Sequence, residues 1–364
     1  MTRYKDVALA LRDARLSSDR KSAYERLMPA PAREKLDPLV RNLTTWLVAM
    51  DPPAHTRIRA LINQAFQPRL IEGMRPKVQR IADHLLAPAA ASGTMDVIRD
   101  YADLVPVHVM AEVLGLPEES RAHLKKWSKT LAVFLGNAPS LPVAEDALGA
   151  VTEMEDYFRA QIAERRRRPR EDLLSHMIAA AERGSFLSEH ELLSTSTMLL
   201  FGGHETTTYL IGNGTLALLE NPSQEAILRA SPDLIQGAVE EFLRYESPVK
   251  RMRRMAIEDI EIEGVSIKKG DLVFPVVASA NRDPEQFPDP GRLDVRRADV
   301  RHLALGLGIH YCAGASLARL EGQIALRSLL DRFPRIERAW DRLSWIDNSV
   351  GRGVESLPVK VLTT

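Results

Sequence analysis

The chain has 364 residues, with 49 basic and 49 acidic side chains, 45% hydrophobic residues and one cysteine. That length buries a sizeable core, and the balanced charge excludes a nucleic-acid binder held by overall electrostatics as well as an acidic solvating chain. A single cysteine excludes an internal disulfide and a Cys-rich zinc or iron–sulfur site. The N-terminus is charged from Arg3 onward and has no apolar core of signal-peptide length. No window offers about 18 uninterrupted apolar residues, the length of a membrane span. The expectation is a soluble, cytoplasmic, globular protein in which the use of Cys312 is the open question.

In chain order, apolar residues at three- and four-residue spacing predict helices over Val7 to Leu16, Ile58 to Phe66, Val78 to Leu86 and Leu104 to Leu114. Asp51-Pro52-Pro53 and Leu116-Pro117 punctuate them. The basic run Arg165 to Arg168, followed by Pro169 and Arg170, separates two helical patterns; a solvated helix end explains it, and a partner-docking patch is the alternative.

Ser188-Glu189-His190-Glu191 has the form of a capping box, so a helix should start there and run to Glu220, before Asn221-Pro222. That is about 30 residues, or about 45 Å. Glu205 is the one formally charged residue between Glu191 and Glu220, which predicts a buried helix. Its centre, Gly202-Gly203-His204-Glu205-Thr206-Thr207-Thr208, is unusual for a core helix. The glycines cost helix stability, roughly 1 kcal/mol each, and let a flat ligand approach. Thr206 can donate its hydroxyl to the carbonyl four residues back. The segment is either a kinked core helix with a buried basic partner for Glu205, or an acid–hydroxyl pair that relays protons.

Pro232 to Tyr245 reads as a further helix, on which Arg244 could pair with Glu240 or Glu241; periodicity does not choose between them. Strand signals follow in Ile260, Ile262, Val265 and Ile267 around Glu263-Gly264, then in Leu272-Val273-Phe274, and again between Val354 and Leu362. The fold class is therefore mainly α with a small β-rich lobe, as one domain over 1–364 with the lobe drawn mainly from about 250–300 and 350–364.

Cys312 lies in His302-Leu303-Ala304-Leu305-Gly306-Leu307-Gly308-Ile309-His310-Tyr311-Cys312-Ala313-Gly314, ahead of a helical pattern over Ala315 to Leu330. A thiol just before a helix N-terminus is expected to favour its thiolate, and the glycines leave room for a large planar group. A Cys–His nucleophile with His310 is conceivable but has no third orienting group nearby. A thiolate ligand to haem iron fits better.

Together these motifs resemble the cytochrome P450 monooxygenases. Gly306-x-Gly308-x-His310-x-Cys312-x-Gly314, Glu241-x-x-Arg244 and Gly202-Gly203-His204-Glu205-Thr206-Thr207 stand in that family's order. Asp51-Pro52-Pro53-x-His55-Thr56-Arg57-x-Arg59, Asn281-Arg282-Asp283-Pro284 and Phe287-Pro288-Asp289-Pro290 resemble its soluble bacterial members. The resemblance implies haem b, with Cys312 as axial ligand to the iron and His55, Arg59, Arg254 and His310 at the haem propionates. It implies an ion-pair triad of Glu241, Arg244 and Arg292, and an acid–alcohol pair, Glu205 and Thr206, that delivers protons during dioxygen activation.

The implied activity is insertion of one oxygen atom from O2 into a lipophilic small molecule, as a hydroxylase or epoxidase of secondary metabolism. Electrons would come from a separate ferredoxin or flavodoxin with its reductase, and the protein would act as a monomer without nucleic acid or membrane. A peroxide-driven peroxygenase and a non-catalytic haem-binding protein are the alternatives. The substrate pocket is expected from about Ser22 to Met50 and about Leu131 to Ala150, with residues near Thr197 to Phe201 and Val249 to Met252. Two departures stand out. Leu305 occupies the position before Gly306 where Phe is common. Arg3-Tyr4-Lys5-Asp6-Val7 resembles a segment that relatives reach after a first helix and two strands, which implies that the usual N-terminal helix and strands are lacking, with an unpaired sheet edge.

Overall fold

The computed structural model describes residues 1–21, 30–136, 140–182 and 187–362. The α-helices of seven residues or more are α1 (Tyr4–Ala10), α2 (Ala30–Thr44), α3 (Ala54–Ala65), α4 (Arg75–Ser92), α5 (Leu104–Leu114), α6 (Arg121–Gly136), α7 (Leu141–Arg167), α8 (Leu173–Glu182), α9 (Glu189–Glu220), α10 (Pro222–Ala230), α11 (Ile235–Tyr245) and α12 (Ala315–Arg332). The long helix α9 starts as its sequence predicts. Ser188 accepts from the Glu191 N–H and Glu191 reaches back to the Ser188 N–H, so two otherwise orphaned donors are satisfied. It is buried over most of its length and packs against α5, α6, α7, α11 and α12. A helix hydrophobic on every side can only be a central one, and the largest core cluster forms around it.

The predicted helix over Val7 to Leu16 is shorter than expected. α1 ends at Ala10, and Leu16–Ser17 form strand β1 instead. Leu16 is apolar because it joins the small core of the β lobe with Ile260, Ile262 and Ile267, so its spacing from Leu11 was coincidental. Strands β3 (Arg254–Ala256) and β6 (Leu272–Val273) complete this antiparallel sheet in the order β1-β3-β6. Its edges are strands of two residues each, too short to template further pairing. Strands β4 (Ile260–Ile262) and β5 (Val265–Ile267) form a hairpin whose turn residues, Glu263 and Gly264, both have positive φ, as a two-residue turn of this hand requires. A third sheet joins β2 (Thr94–Asp96), β8 (Pro358–Leu362) and β7 (Arg335–Arg338).

The basic run at the end of α7 needs a correction. Arg166 to Arg168 are a solvated helix end, but Arg165 is 1% exposed. Its guanidinium lies 3.2 Å from Asp172 and donates to Gln161 and to the carbonyl of Gly115, tying α7 to the segments before α6 and α8. Among the described residues no helix is long and apolar enough to cross a membrane.

Candidate functional site

The loop carrying Cys312 is held from both sides. Asn281 Oδ1 accepts from the Leu303 N–H at 2.7 Å, and the Cys312 N–H donates to the Leu305 carbonyl at 2.8 Å. Gly306 and Gly308 have φ of 74° and 71°, a backbone that side-chain-bearing residues rarely adopt, so the loop can reverse twice within seven residues. It runs through a short 3-10 turn at Gly308–His310 and delivers Cys312 three residues before α12. Burial pushes the Cys312 thiol pKa up; the Gly314 N–H and the charges of Arg59 and Arg319 pull the other way. The expected preference of the free thiol for its thiolate is thus reversed, because the helix end is set within protein rather than water.

Four of the predicted residues converge on this loop. His55 and Arg59 lie one turn apart on α3, and Arg59 Nη1 donates to the Tyr311 carbonyl at 2.6 Å. The His55 and His310 rings are 4.4 Å apart, and Arg254 is buried on β3, its Nη1 donating to the Arg253 carbonyl. His55 Nδ1 and Nε2, His310 Nε2 and Arg254 Nη2 are buried without a hydrogen-bond partner among the described residues. Burial, with the nearby Arg254 and His55, pushes His310 down to about 3. Burial and Arg59 lower His55, and burial and Arg20 bring Arg254 down to about 10. Buried donors left without acceptors cost free energy, so this cluster is shaped for an anion with several oxygens. The carboxylates of a haem propionate pair fit that donor set, and Cys312 fits an axial ligand.

Glu205 and Thr206 are not joined to this cluster by any hydrogen bond among the described residues. Thr206 Oγ1 donates to the Gly202 carbonyl at 2.9 Å, the back-bond expected from its position. The two glycines have different jobs. Gly202 is exposed with open space where a side chain would be, whereas a Cβ at Gly203 would lie 2.4 Å from Met110 Sδ, so Gly203 serves the packing of α5 on α9. Among the described residues Glu205 forms no ion pair with a lysine or arginine. Tyr209 Oη donates to its Oε2 at 3.0 Å, and His204 Nδ1 lies 3.6 Å from its Oε1.

The pairing ambiguity on α11 is resolved by both acids being used. Glu241 takes Arg244 in a bidentate pair, both contacts at 2.7 Å and both residues fully buried. Glu240 takes Arg319 and His302. The third member of the triad is Arg297, not Arg292: Arg297 Nε lies 3.2 Å from Glu241 Oε2, while Arg292 is exposed and offers only its carbonyl to Arg244 and Arg297. Either arginine follows the Asp289-Pro290 turn, and side-chain direction after an irregular loop is not periodic. Sequence reasoning also missed Asp103, Lys125, Lys129 and Tyr209; the one available signal was an acid set at the start of the apolar run Leu104 to Leu114.

A family model described as Cytochrome P450 matches residues 140–338. The chain belongs to the cytochrome P450 family. It is 41% identical over 367 residues to the polyketide biosynthesis cytochrome P450 PksS of Bacillus subtilis, covering 99% of this chain and 88% of that one. It is 39% identical over 366 residues to the 6-deoxyerythronolide B hydroxylase of Saccharopolyspora erythraea, covering 99% and 89%. Among solved structures, P450BioI in complex with an acyl carrier protein bearing hexadec-9Z-enoic acid superposes with a TM-score of 0.93 at 36% identity, over 100% of this chain and 92% of that one. The chain is accordingly a P450 monooxygenase, an oxidoreductase with haem b as cofactor that uses O2 and a redox partner.

Proposed function

We propose that Cys312 is the axial ligand to the haem iron, that His55, Arg59, Arg254 and His310 hold the propionates, and that the enzyme hydroxylates or epoxidises a lipophilic, polyketide-like secondary metabolite. The observation that carries the site assignment is the set of orphaned buried donors gathered on the Cys312 loop. When bound, haem supplies the iron at which dioxygen is reductively activated. The chain would contribute the Cys312 thiol as the iron ligand, the buried donors of His55, Arg59, Arg254 and His310 for the propionates, and Glu205 with Thr206 as the acid and alcohol that move protons. Electrons come from a separate ferredoxin or flavodoxin with its reductase.

The substrate class is supported by the relatives named above for polyketide biosynthesis and for hydroxylation of 6-deoxyerythronolide B. It is also supported by the lining of α9. Within the expected pocket segments, the Phe201 and Trp46 rings lie 5.3 Å apart and Trp46 Nε1 donates to Asn42 and Thr197, an aromatic contact with its polar atom satisfied, as a lipophilic site requires. Met252 reaches the Cys312 loop at Gly306. The parts of the expected pocket at 22–29 and 137–139 lie outside the described residues.

The absorption spectrum of the reduced, CO-bound protein tests the assignment. A thiolate-shifted Soret band is expected, lost in Cys312→Ser; a soluble full chain that takes up no haem would overturn it.

A further inference from the structure

Three buried polar side chains outside the propionate cluster meet at the centre of α9. Asp103 is 1% exposed, His204 is fully buried and Glu205 is 7% exposed. Asp103 closes a π-helical turn at Ile98–Ala102, where the extra residue aims its side chain at α9. Its Oδ2 receives the ammonium groups of Lys125 and Lys129 on α6 at 2.7 and 2.8 Å. Burial opposes ionisation of Asp103, but His204 and the two lysines outweigh it and hold the carboxyl well below its usual range.

Donor and acceptor counting then fixes the imidazole. His204 Nε2 is 3.0 Å from Asp103 Oδ1 and 3.1 Å from the Asp103 carbonyl. An ionised carboxylate and a carbonyl both only accept, so Nε2 carries a proton. Among the described residues the other nitrogen, Nδ1, has no hydrogen-bond partner, and neither has Glu205 Oε1, 3.6 Å away. A bare Nδ1 facing an ionised Oε1 would set two lone pairs against each other inside the core, which a buried site does not tolerate. A separation of 3.6 Å is long for a hydrogen bond but short for an ion pair. Tyr209 Oη donates to Oε2, so Oε1 is the carboxyl oxygen turned to the ring.

We infer that His204 carries protons on both ring nitrogens and holds one of them against Glu205 Oε1, with Asp103 as the positioning residue that orients the ring. The charged and titratable groups facing the site are Asp103, Lys125 and Lys129 on one side and Glu205 with Tyr209 on the other. Transfer breaks the Nδ1–H bond and forms an O–H bond at Glu205 Oε1, one residue from Thr206; the neutral ring keeps its Nε2–H on Asp103 and is reloaded by a proton from solvent. This deepens the reading of Glu205 as an acid, and the use of the proton rests on that reading. Its presence does not.

The test is the 15N spectrum of the histidine rings in the reduced, CO-bound, diamagnetic holoprotein, with the His204 signals assigned by their loss in His204→Gln. Both nitrogens are expected in the protonated range at neutral pH. Asp103→Asn and Glu205→Gln should each move Nδ1 to the bare range, Asp103→Glu should restore it, and Thr206→Ala should leave it unmoved. A bare Nδ1 in the unmodified protein overturns the inference by itself, whether or not any variant folds. Because the ring signal is read without turnover, failure of Thr206 as a proton donor and failure of the stored proton are separate results.

Discussion

Thr206 spends its hydroxyl hydrogen on the Gly202 carbonyl, on a stretch of α9 where Gly202 leaves open space. A hydroxyl in that state accepts a proton from its neighbour and can pass its own forward only by releasing the back-bond, which loosens one rung of an already glycine-weakened helix. Thr206→Ala keeps the helix and removes the alcohol. Its expected effect is a fall of roughly 10-fold or more in product formed per reductant consumed, a conservative share of the roughly 100- to 10,000-fold that a positioned proton donor contributes, with reductant diverted to hydrogen peroxide. Turnover driven by added peroxide needs no such donor and should persist in the variant. Unchanged coupling with reductant would remove Thr206 from the proton path and favour the peroxygenase alternative.

Among the elements, α7 and α9 show where stability is concentrated. Ser188→Ala removes one half of a reciprocal cap and should cost about 1 kcal/mol in denaturant unfolding. Arg165→Leu should cost more, about 3 to 5 kcal/mol, because Asp172 is left as a buried charge whose remaining bond is to the Ser175 N–H. If that variant unfolds like a surface substitution, the Arg165–Asp172 pair is not the joint between α7 and α8. These two cases also mark how far the sequence could be read. The cap, the back-bond of Thr206 and the turn at Glu263-Gly264 follow local rules within four residues, and they were legible. Arg165 looked solvated because its neighbours are, and its partner was hidden beyond a loop. Asp103 and His204 are separated by 101 positions, a distance over which composition and periodicity carry no information. The Cys312 loop was legible because its glycines and helix start are local, and the cluster at its rim only through the resemblance to a family.

Across the whole molecule, a chain with no net charge places two of its carboxylates where they join distant segments. Asp103 ties α9 to α6, and Glu240 on α11 ties it to Arg319 of α12 and to His302 before the Cys312 loop. Burial of Glu240 opposes ionisation, yet Arg319 and His302 bring it from its ordinary 4.5 down to about 2. Both acids are therefore weaker bases in the folded chain than in the unfolded one, which binds more protons through the acid range. The sign follows: their contribution to stability is complete above the unfolded values, and it is lost as pH falls from about 4.5 through the folded values. Glu240→Gln removes one of the two. It should lower stability at neutral pH by about 2 to 3 kcal/mol, a partly buried pair being worth less than a fully buried one. It should also flatten the fall in stability between pH 4.5 and about 2. Urea unfolding across that range checks both, and a variant whose acid slope matches the unmodified protein would show that Glu240 does not carry the pH dependence. Asp103→Asn should flatten the same limb below the ordinary aspartate value, and because Asp103 and Glu240 share no partner, the two effects should add in the double variant.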